Sequence, residues 1–176
     1  HAGQPDSLIT LKDVMDSGKI LLVDLSNMGA DLCSAVGSLM LSLIYTAAIS
    51  RGGDTTKEYT PCNVYVDEAH RFVQEALSDI IDETRKFKVS LTLAHQRYSQ
   101  FEHGEREALS DCRTSIYFAL NREDARRIAG SLNKQVSAED LMALERGKGI
   151  AQIDGKPGRF ETSLPEPPEK PCRRED

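Results

Sequence analysis

Short apolar runs alternate with helix-length segments along most of this chain. We predict strands at residues 20–23, 63–66, 89–94 and 115–120. The segments between these runs carry apolar residues at helical spacing, as at Leu77, Ile80 and Ile81. Strands that alternate with helices form a parallel sheet joined by right-handed crossovers. The sequence therefore predicts an α/β fold with a mainly parallel sheet and helices on both faces.

The end of the folded region has a different pattern. Residues 149–153 and 159–162 flank the dipeptide Asp154-Gly155, which is typical of a tight β-turn. We therefore predict a C-terminal β-hairpin. Two short helices precede it, and we expect them to be capped by Asn121 and by Ser137, each with an acid three residues later.

Residues 32–50 contain no charged side chain and could by length cross a membrane. Hydroxyl side chains recur every fourth residue and line one helix face; they are Ser34, Ser38, Ser42, Thr46 and Ser50. The opposing face is apolar and consists of Leu32, Val36, Leu39, Met40, Leu43 and Ile44. Small residues dilute the hydrophobicity and let a helix pack close to a sheet. We therefore predict a buried crossover helix rather than a membrane span.

The two chain ends suggest how the sequence is organised. It begins at His1 without a methionine and shows no signal-peptide pattern, so we expect a segment of a longer protein. Residues 164–176 contain four of the seven prolines. We predict one folded region over residues 1–163, followed by a Pro-rich disordered tail over residues 164–176.

Charge and composition exclude several classes of protein. The chain has 22 basic and 28 acidic residues and a net charge of -6, whereas a free-standing nucleic-acid-binding protein is normally basic. Any contact with nucleic acid must therefore use a local patch or an assembly. The 4 cysteines form no C-x-x-C pair, so the sequence indicates reduced thiols rather than a zinc site or a disulfide framework.

One apolar strand runs directly into two acids, in the sequence Val64-Tyr65-Val66-Asp67-Glu68. This is the arrangement of a Walker B motif, because ligands of parallel sheets bind at the carboxyl ends of strands. Asp67 could there hold Mg²⁺ through water, and Glu68 could polarise the water that attacks a γ-phosphate. The alternative is a solvated helix start, where acids interact favourably with the helix dipole.

The strand at residues 89–94 ends in His95 and Gln96. A side-chain amide at this position can hydrogen-bond an attacking water or a γ-phosphate oxygen. It can also be simply solvated. Since parallel strands end at the same edge of a sheet, we expect Gln96 to lie beside Asp67 and Glu68.

Several arginines are candidates for binding phosphate or DNA. Arg85 could reach the nucleotide of a neighbouring subunit in a ring, or it could form a surface ion pair with Asp82 or Glu83. Arg113 is a second candidate of the same kind. One predicted helix carries Arg122, Arg126 and Arg127. These three fit a solvated face as well as a DNA-binding patch.

The phosphate-binding loop G-x-x-x-x-G-K-[ST] does not occur in the 176 residues. Its backbone amides and lysine cradle the phosphates of a bound nucleotide. The Gly-Lys pairs that begin at Gly18, Gly147 and Gly155 lack the hydroxyl residue that follows in this loop. We therefore expect this chain by itself to be inactive as an ATPase.

Five stretches resemble, in order and spacing, the C-terminal half of the motor domain of the HerA–FtsK superfamily of ATPases. They are GKILLVDLS (18–26), NVYVDEAHRF (63–72), ETRKFKVSLTLAHQ (83–96), SIYFALNREDARRIA (115–129) and DLMALERGKGIA (140–151). Together they span nearly all of residues 18–163. Within the superfamily the chain looks most like the conjugative coupling proteins of the TraD/TraG kind, in the segment termed the TraM-recognition region.

The resemblance implies a RecA-like fold, that of P-loop NTPases, of which this chain would be the part from the Walker B motif onward. It implies ATP and Mg²⁺ as cofactors, with Asp67 on the Mg²⁺ side and Glu68 as the general base. Gln96 would sense the γ-phosphate and Arg85 would be the arginine finger. The Walker A loop and a membrane anchor lie upstream of these motifs in the family.

The resemblance also implies a biological role. Such proteins form rings, expected here to be hexamers, that pump DNA through a central pore in conjugation or type IV secretion. The expected partners are DNA, further copies of the chain, and a relaxosome or secretion-channel protein, with membrane contact only through the upstream anchor. The expected location is cytoplasmic, at the inner face of the bacterial inner membrane.

Other interpretations remain open from the sequence. Asp67-Glu68-Ala69-His70 spells the signature of DEAH helicases, but their next motif is S-A-T, where this chain has Leu93-Ala94-His95-Gln96. Secretion-system ATPases and end-resection translocases of the same superfamily share the motifs above. Without a phosphate-binding loop, the chain could also be a non-catalytic module that docks a partner protein.

Overall fold

The computed structural model describes residues 10–52, 58–72, 77–133 and 135–163. The chain divides into two compact units, one up to Cys112 and the other from Arg113 on. The proline-rich segment predicted to be a disordered tail lies outside the described residues.

The first unit alternates helices with two strands. Its helices are α1 (Leu11–Asp16), α2 (Ala30–Ile49), α3 (Leu77–Thr84) and α4 (His103–Ser110), and its strands are β1 (Cys62–Val66) and β2 (Val89–Leu93). Three single turns of 3-10 helix cover Ala69–Arg71, Arg85–Phe87 and Tyr98–Gln100. α1 begins just after Thr10, whose Oγ1 accepts the N–H of Asp13 at 3.1 Å and caps the helix.

β1 and β2 form a parallel pair, with Val66 opposite Leu93. The pairing continues beyond both strands, since Ala94 N–H donates to Val66 O at 2.8 Å and Ala69 N–H donates to Ala94 O at 2.9 Å. The predicted α/β class with a parallel sheet is confirmed. Because the strands run in the same direction, the segments that follow them leave the sheet side by side.

One face of this strand pair packs on the core of the unit. Burial alternates along β1, so that Cys62, Val64 and Val66 lie on the inner face and Tyr65 is exposed. Val66 packs on a cluster of the buried residues Leu41, Ala69, Ile80, Phe101 and Ala108. Cys62 and Val64 pack on a second cluster, of Met15, Ala48 and Val89. The first cluster includes Ala69 and Phe101, and it therefore lies beneath the segments that follow the two strands.

The helix α2 contacts this core through its small residues. Ser34 Oγ donates to Arg71 O at 2.6 Å and Ser38 Oγ donates to Phe72 O at 2.9 Å. A Cβ added to Gly37 would lie 2.1 Å from the Phe72 ring, so only glycine fits there as the chain is packed. The first two residues of the predicted hydroxyl stripe thus contact the chain just after β1, whereas Ser42, Thr46 and Ser50 are exposed and donate within α2.

The apolar face predicted for α2 is only partly the face that is buried. Leu32, Leu39 and Leu43 are exposed. The buried residues are Leu41 and the smaller Cys33, Gly37 and Ala48. By length and composition alone α2 could cross a membrane, and 28% of its most apolar window is buried within the structure. One such helix is weak evidence for a membrane span.

Arg51, just after α2, is a charged side chain buried completely inside the first unit. Its Nε and Nη2 atoms contact Asp16 Oδ1 at 3.0 and 2.9 Å. Its Nη1 atom donates to the carbonyl oxygens of Thr60 at 3.1 Å and Phe87 at 3.0 Å. A single guanidinium therefore joins α1, the end of α2 and the segments that precede β1 and β2.

The strand predicted at residues 20–23 is not formed. Ile20 and Leu22 are 89% and 88% exposed, and no strand among the described residues pairs with this run. A strand needs a neighbour to satisfy its backbone N–H and C=O groups. The apolar pattern is present, but the partner strand is not among the described elements.

The second unit combines an antiparallel sheet with two helices. Its elements are β3 (Thr114–Tyr117), α5 (Arg122–Ser131), α6 (Ala138–Met142), β4 (Lys148–Ile153) and β5 (Lys156–Glu161). The predicted β4–β5 hairpin is confirmed, and Asp154 and Gly155 both have positive φ, as a type I′ turn requires. The predicted fourth strand exists as β3, but it pairs antiparallel with β4, since an apolar pattern indicates a strand without its direction.

Both predicted caps of the second unit are confirmed. Asn121 accepts the N–H groups of Glu123 and Asp124 at the start of α5. Ser137 and Asp140 form a capping box at α6. The Ser137 hydroxyl and backbone N–H donate to Asp140, and with Arg159 they lower the pKa of the Asp140 carboxyl to about 2.

We predict that Gly37→Ala destabilises the protein by about 1–2 kcal/mol, because the Phe72 ring must move out of its packed position. The matched control is Gly130→Ala in α5, where an added Cβ meets nothing within 4 Å. There alanine should stabilise by up to about 1 kcal/mol through its higher helix propensity. Urea unfolding of both variants measures the difference, and equal stabilisation by both would contradict the close packing of α2.

We also predict that Arg51→Met lowers the free energy of unfolding by about 3 kcal/mol, because it removes the hydrogen bonds that the buried guanidinium donates to Asp16, Thr60 and Phe87. The control is Arg113→Met, whose ion pair with Asp154 is exposed and should contribute at most about 1 kcal/mol. Urea titration of the two variants is the measurement. A loss for Arg51→Met no greater than that for Arg113→Met would contradict the role of Arg51.

Candidate functional site

Asp67 and Glu68 follow β1 at the carboxyl end of the parallel strands. Glu68 adopts the left-handed conformation, with φ 50° and ψ 43°, which is uncommon for a residue other than glycine. In this turn Asp67 Oδ1 accepts the N–H of Glu68 at 2.9 Å. The turn leads directly into the 3-10 helix at Ala69–Arg71, so the two carboxylates lie where the strand ends.

Gln96 reaches Glu68 across the two strand ends. Its Nε2 atom donates to Glu68 Oε1 at 2.6 Å, although 28 residues separate the two in the chain. The contact follows from the parallel register, because Val66 and Leu93 are opposite each other and both chains continue in the same direction. The structure thus brings Glu68 and Gln96 into contact, with Asp67 next to Glu68 in the chain.

A histidine and a second glutamine extend this cluster, and the sequence analysis assigned no role to either. His70 Nδ1 lies 3.5 Å from Glu68 Oε2, and His70 Nε2 lies 3.3 Å from Gln100 Nε2. Gln100 Oε1 in turn accepts the backbone N–H of Arg97 at 3.1 Å. Their positions in the sequence could have pointed to them, because His70 and Gln100 each occur within a few residues of a strand end that carries a candidate site residue.

Phe101 orders two imidazole rings beside the cluster. Its side chain is almost fully buried and meets the ring of His95 edge-on, with 4.7 Å between ring centroids. It also meets the ring of His70 edge-on at 6.4 Å. Edge-to-face packing is the favoured geometry for aromatic pairs, so both imidazoles are held by packing as well as by polar contacts.

Arg85 is the one sequence-predicted arginine that belongs to the same unit as the strand-end cluster. It begins the 3-10 turn that precedes β2, so its backbone lies at the opposite end of β2 from Gln96. In the second unit, Arg113 pairs with Asp154 at 2.8 Å. The remaining three, Arg122, Arg126 and Arg127, are exposed on α5 of that unit. Within the first unit, the backbone of Arg85 therefore does not join the cluster.

The oxygen ligands at the strand ends suit Mg²⁺. This ion prefers oxygen donors, keeps several waters and is commonly bound by one or two carboxylates together with substrate phosphates. Asp67 is exposed and could hold such an ion through water, while Glu68 is engaged with Gln96. In the described part of the chain no three His, Cys, Asp or Glu side chains are grouped to hold a metal by themselves.

Comparison by sequence finds no protein-family model that matches this chain. It also finds no match among curated proteins.

Comparison by structure finds clear relatives in fold. The bacterial conjugative coupling protein TrwB, solved without its first 70 residues, superposes with a TM-score of 0.66 at 13% identity, over 78% of this chain and 38% of that one. VirB4 of Thermoanaerobacter pseudethanolicus gives a TM-score of 0.62 at 19% identity, over 81% of this chain and 40% of its own. The genome packaging NTPase B204 of Sulfolobus turreted icosahedral virus 2 gives a TM-score of 0.59 at 14% identity, over 89% of this chain and 73% of its own.

These superpositions define the class of fold. The chain has a mixed α/β fold of the RecA-like P-loop ATPase type. These three solved proteins share the fold of the chain, so the RecA-like fold implied by the resemblance in the sequence is confirmed. The chain spans about two fifths of the length of the coupling-protein and VirB4 structures that it matches.

Proposed function

We propose that this chain is the Walker B half of an ATP-driven DNA translocase, of the kind that couples DNA to conjugation or type IV secretion. The observation that supports this most directly is the 2.6 Å hydrogen bond between Gln96 and Glu68 at the ends of two parallel strands. It joins, in space, a carboxylate that can act as a base and an amide that can orient water or contact a γ-phosphate oxygen. The fold shared with a conjugative coupling protein and with VirB4 adds support.

In the proposed reaction the residues of this chain orient and activate water. The Glu68 carboxylate accepts a hydrogen bond from the attacking water and so activates the water oxygen for attack on the γ-phosphate. Gln96, which now donates to Glu68, is placed to contact the water or a γ-phosphate oxygen instead. Asp67 would hold Mg²⁺ through water, and the ion would neutralise charge on the phosphates. TrwB has been solved with ADP and Mg²⁺ and with a non-hydrolysable ATP analogue.

The proposal extends to an assembly. A Walker A loop supplied outside these 176 residues would cradle the phosphates, because the chain lacks that sequence. Subunits would form a ring, proposed as a hexamer, around DNA. Arg85, at the far end of β2 from Gln96, would act on the nucleotide of a neighbouring subunit rather than on that of its own. The site of action would be the cytoplasmic face of the inner membrane, beside a relaxosome or secretion-channel protein.

We predict that Glu68→Gln in the full-length protein lowers kcat for Mg²⁺-dependent, DNA-stimulated ATP hydrolysis about 10²- to 10⁴-fold, because the amide cannot act as a base. Binding of ATP should be unchanged, since the substitution keeps the shape of the side chain. Steady-state turnover and equilibrium binding of a fluorescent ATP analogue are the measurements. The control is Glu107→Gln on the exposed side of α4, which should leave both quantities unchanged. An unchanged kcat in Glu68→Gln would show that Glu68 is not the general base.

We predict that rings mixed from two inactive variants, Arg85→Ala and Glu68→Gln, recover ATP hydrolysis. In such rings an intact Arg85 from one subunit can face an intact Glu68 in its neighbour, and an arginine finger contributes about 10³- to 10⁵-fold to turnover. The matched control mixes Glu68→Gln with Gln96→Ala. These two residues serve the same site within one chain, so each subunit keeps a defective site and no recovery is expected. Absence of recovery in the first mixture would rule out a finger that acts between subunits.

A further inference from the structure

The imidazole of His70 has one buried nitrogen that its own surroundings do not satisfy. His70 Nδ1 is inaccessible to solvent and has no hydrogen-bond partner within the described ranges. The nearest carboxylate oxygen recorded for it is Glu68 Oε2 at 3.5 Å, which is beyond hydrogen-bond distance. Buried polar atoms without a partner are rare in proteins, and each calls for a reason.

The other side of the ring determines which nitrogen carries the proton. Gln100 Oε1 accepts the N–H of Arg97, so the amide nitrogen of Gln100 is the group that faces His70 Nε2 at 3.3 Å. An amide nitrogen only donates, and His70 Nε2 must therefore be the acceptor. In a neutral imidazole the second nitrogen then carries the hydrogen. Gln100 thus selects the tautomer in which Nδ1–H points toward Glu68.

We propose that His70 is a positioning residue for Glu68, held by Gln100 in the tautomer that presents Nδ1–H to Glu68 Oε2. A closer approach of about 0.5 Å would turn the present 3.5 Å contact into a hydrogen bond. The inference deepens the proposed function and rests on it, since it assigns a neighbour that aims the proposed base.

The same short segment of chain then holds both oxygens of Glu68. Gln96 donates directly to Oε1, and Gln100, four residues later, acts on Oε2 through His70. Phe101 packs edge-on to the His70 ring, with 6.4 Å between ring centroids. A carboxylate fixed from two sides keeps its direction when Gln96 moves to contact another ligand.

The tautomer can be read directly on the 176-residue chain without nucleotide. Long-range ¹H–¹⁵N correlation of the histidine rings, at a pH about two units above the ordinary histidine pKa, distinguishes protonated from unprotonated ring nitrogens. We expect Nδ1 of His70 to carry the hydrogen and Nε2 to be bare. His103, which is exposed, serves as the internal reference for a ring without this selection. A His70 ring protonated at Nε2 would overturn the proposal.

A substitution that keeps the shape of Gln100 tests whether this side chain selects the tautomer of His70. Gln100→Glu replaces the donating amide by a carboxylate, which only accepts, so Nε2 of His70 should gain a hydrogen. The signals of His103 should not change. A His70 ring whose Nε2 stays bare in Gln100→Glu would show that Gln100 does not select the tautomer, and would contradict the proposal.

The consequence for turnover is tested in the full-length protein. His70→Asn keeps an N–H donor close to the place of Nδ1, whereas His70→Leu has none. We expect His70→Leu to lower kcat about 10- to 100-fold with little change in KM, as a misaligned base would, and His70→Asn to recover most of the loss. Equal losses in both variants would overturn the positioning role. A protein that hydrolyses no ATP at all would refute the proposed function, while the tautomer would still be read from the chain alone.

Discussion

The parallel pairing of β1 with β2 is the constraint on which the candidate site depends. Parallel strands end at the same edge of a sheet, so the register that sets Val66 opposite Leu93 also sets the segments after them side by side. Glu68 and Gln96 meet for this reason and not because of any local attraction in the sequence. An antiparallel pair would have placed the two residues at opposite ends of the strands. The relative direction of the two strands thus decides whether the residues of the candidate site meet.

Two further features hold that geometry in place. Arg51 ties the start of β1 and the start of β2 to the first two helices, through carbonyl oxygens at Thr60 and Phe87. At the other end of the strands, Glu68 is kept in a left-handed conformation that costs about 1 kcal/mol or more for a residue with a side chain. Glycine or asparagine would occupy this conformation at lower cost. The presence of a glutamate there is consistent with selection for its carboxylate, which is the basis of the role proposed for it.

Much of the fold could be predicted from the sequence because the elements carry local signals. The caps at Asn121 and Ser137 and the turn at Asp154-Gly155 depend on residues within a few positions of each other. The direction of β3 and the absence of a strand at residues 20–23 could not be predicted, because both depend on which strands are available to pair. Asp67, Glu68 and Gln96 of the candidate site could be predicted, because each follows a strand that the sequence indicates. The place of His70 beside Glu68 could not, since it involves a contact with Gln100, which is distant in the chain.

The unpaired run at residues 20–23 has a consequence for the behaviour of the isolated chain. It combines β-branched and other apolar side chains with largely exposed positions, at 89% for Ile20 and 88% for Leu22. Extended apolar segments with free backbone groups are the usual starting points of aggregation. We therefore expect this segment to lower the solubility of the isolated chain, while the net charge of -6 opposes self-association through mutual repulsion.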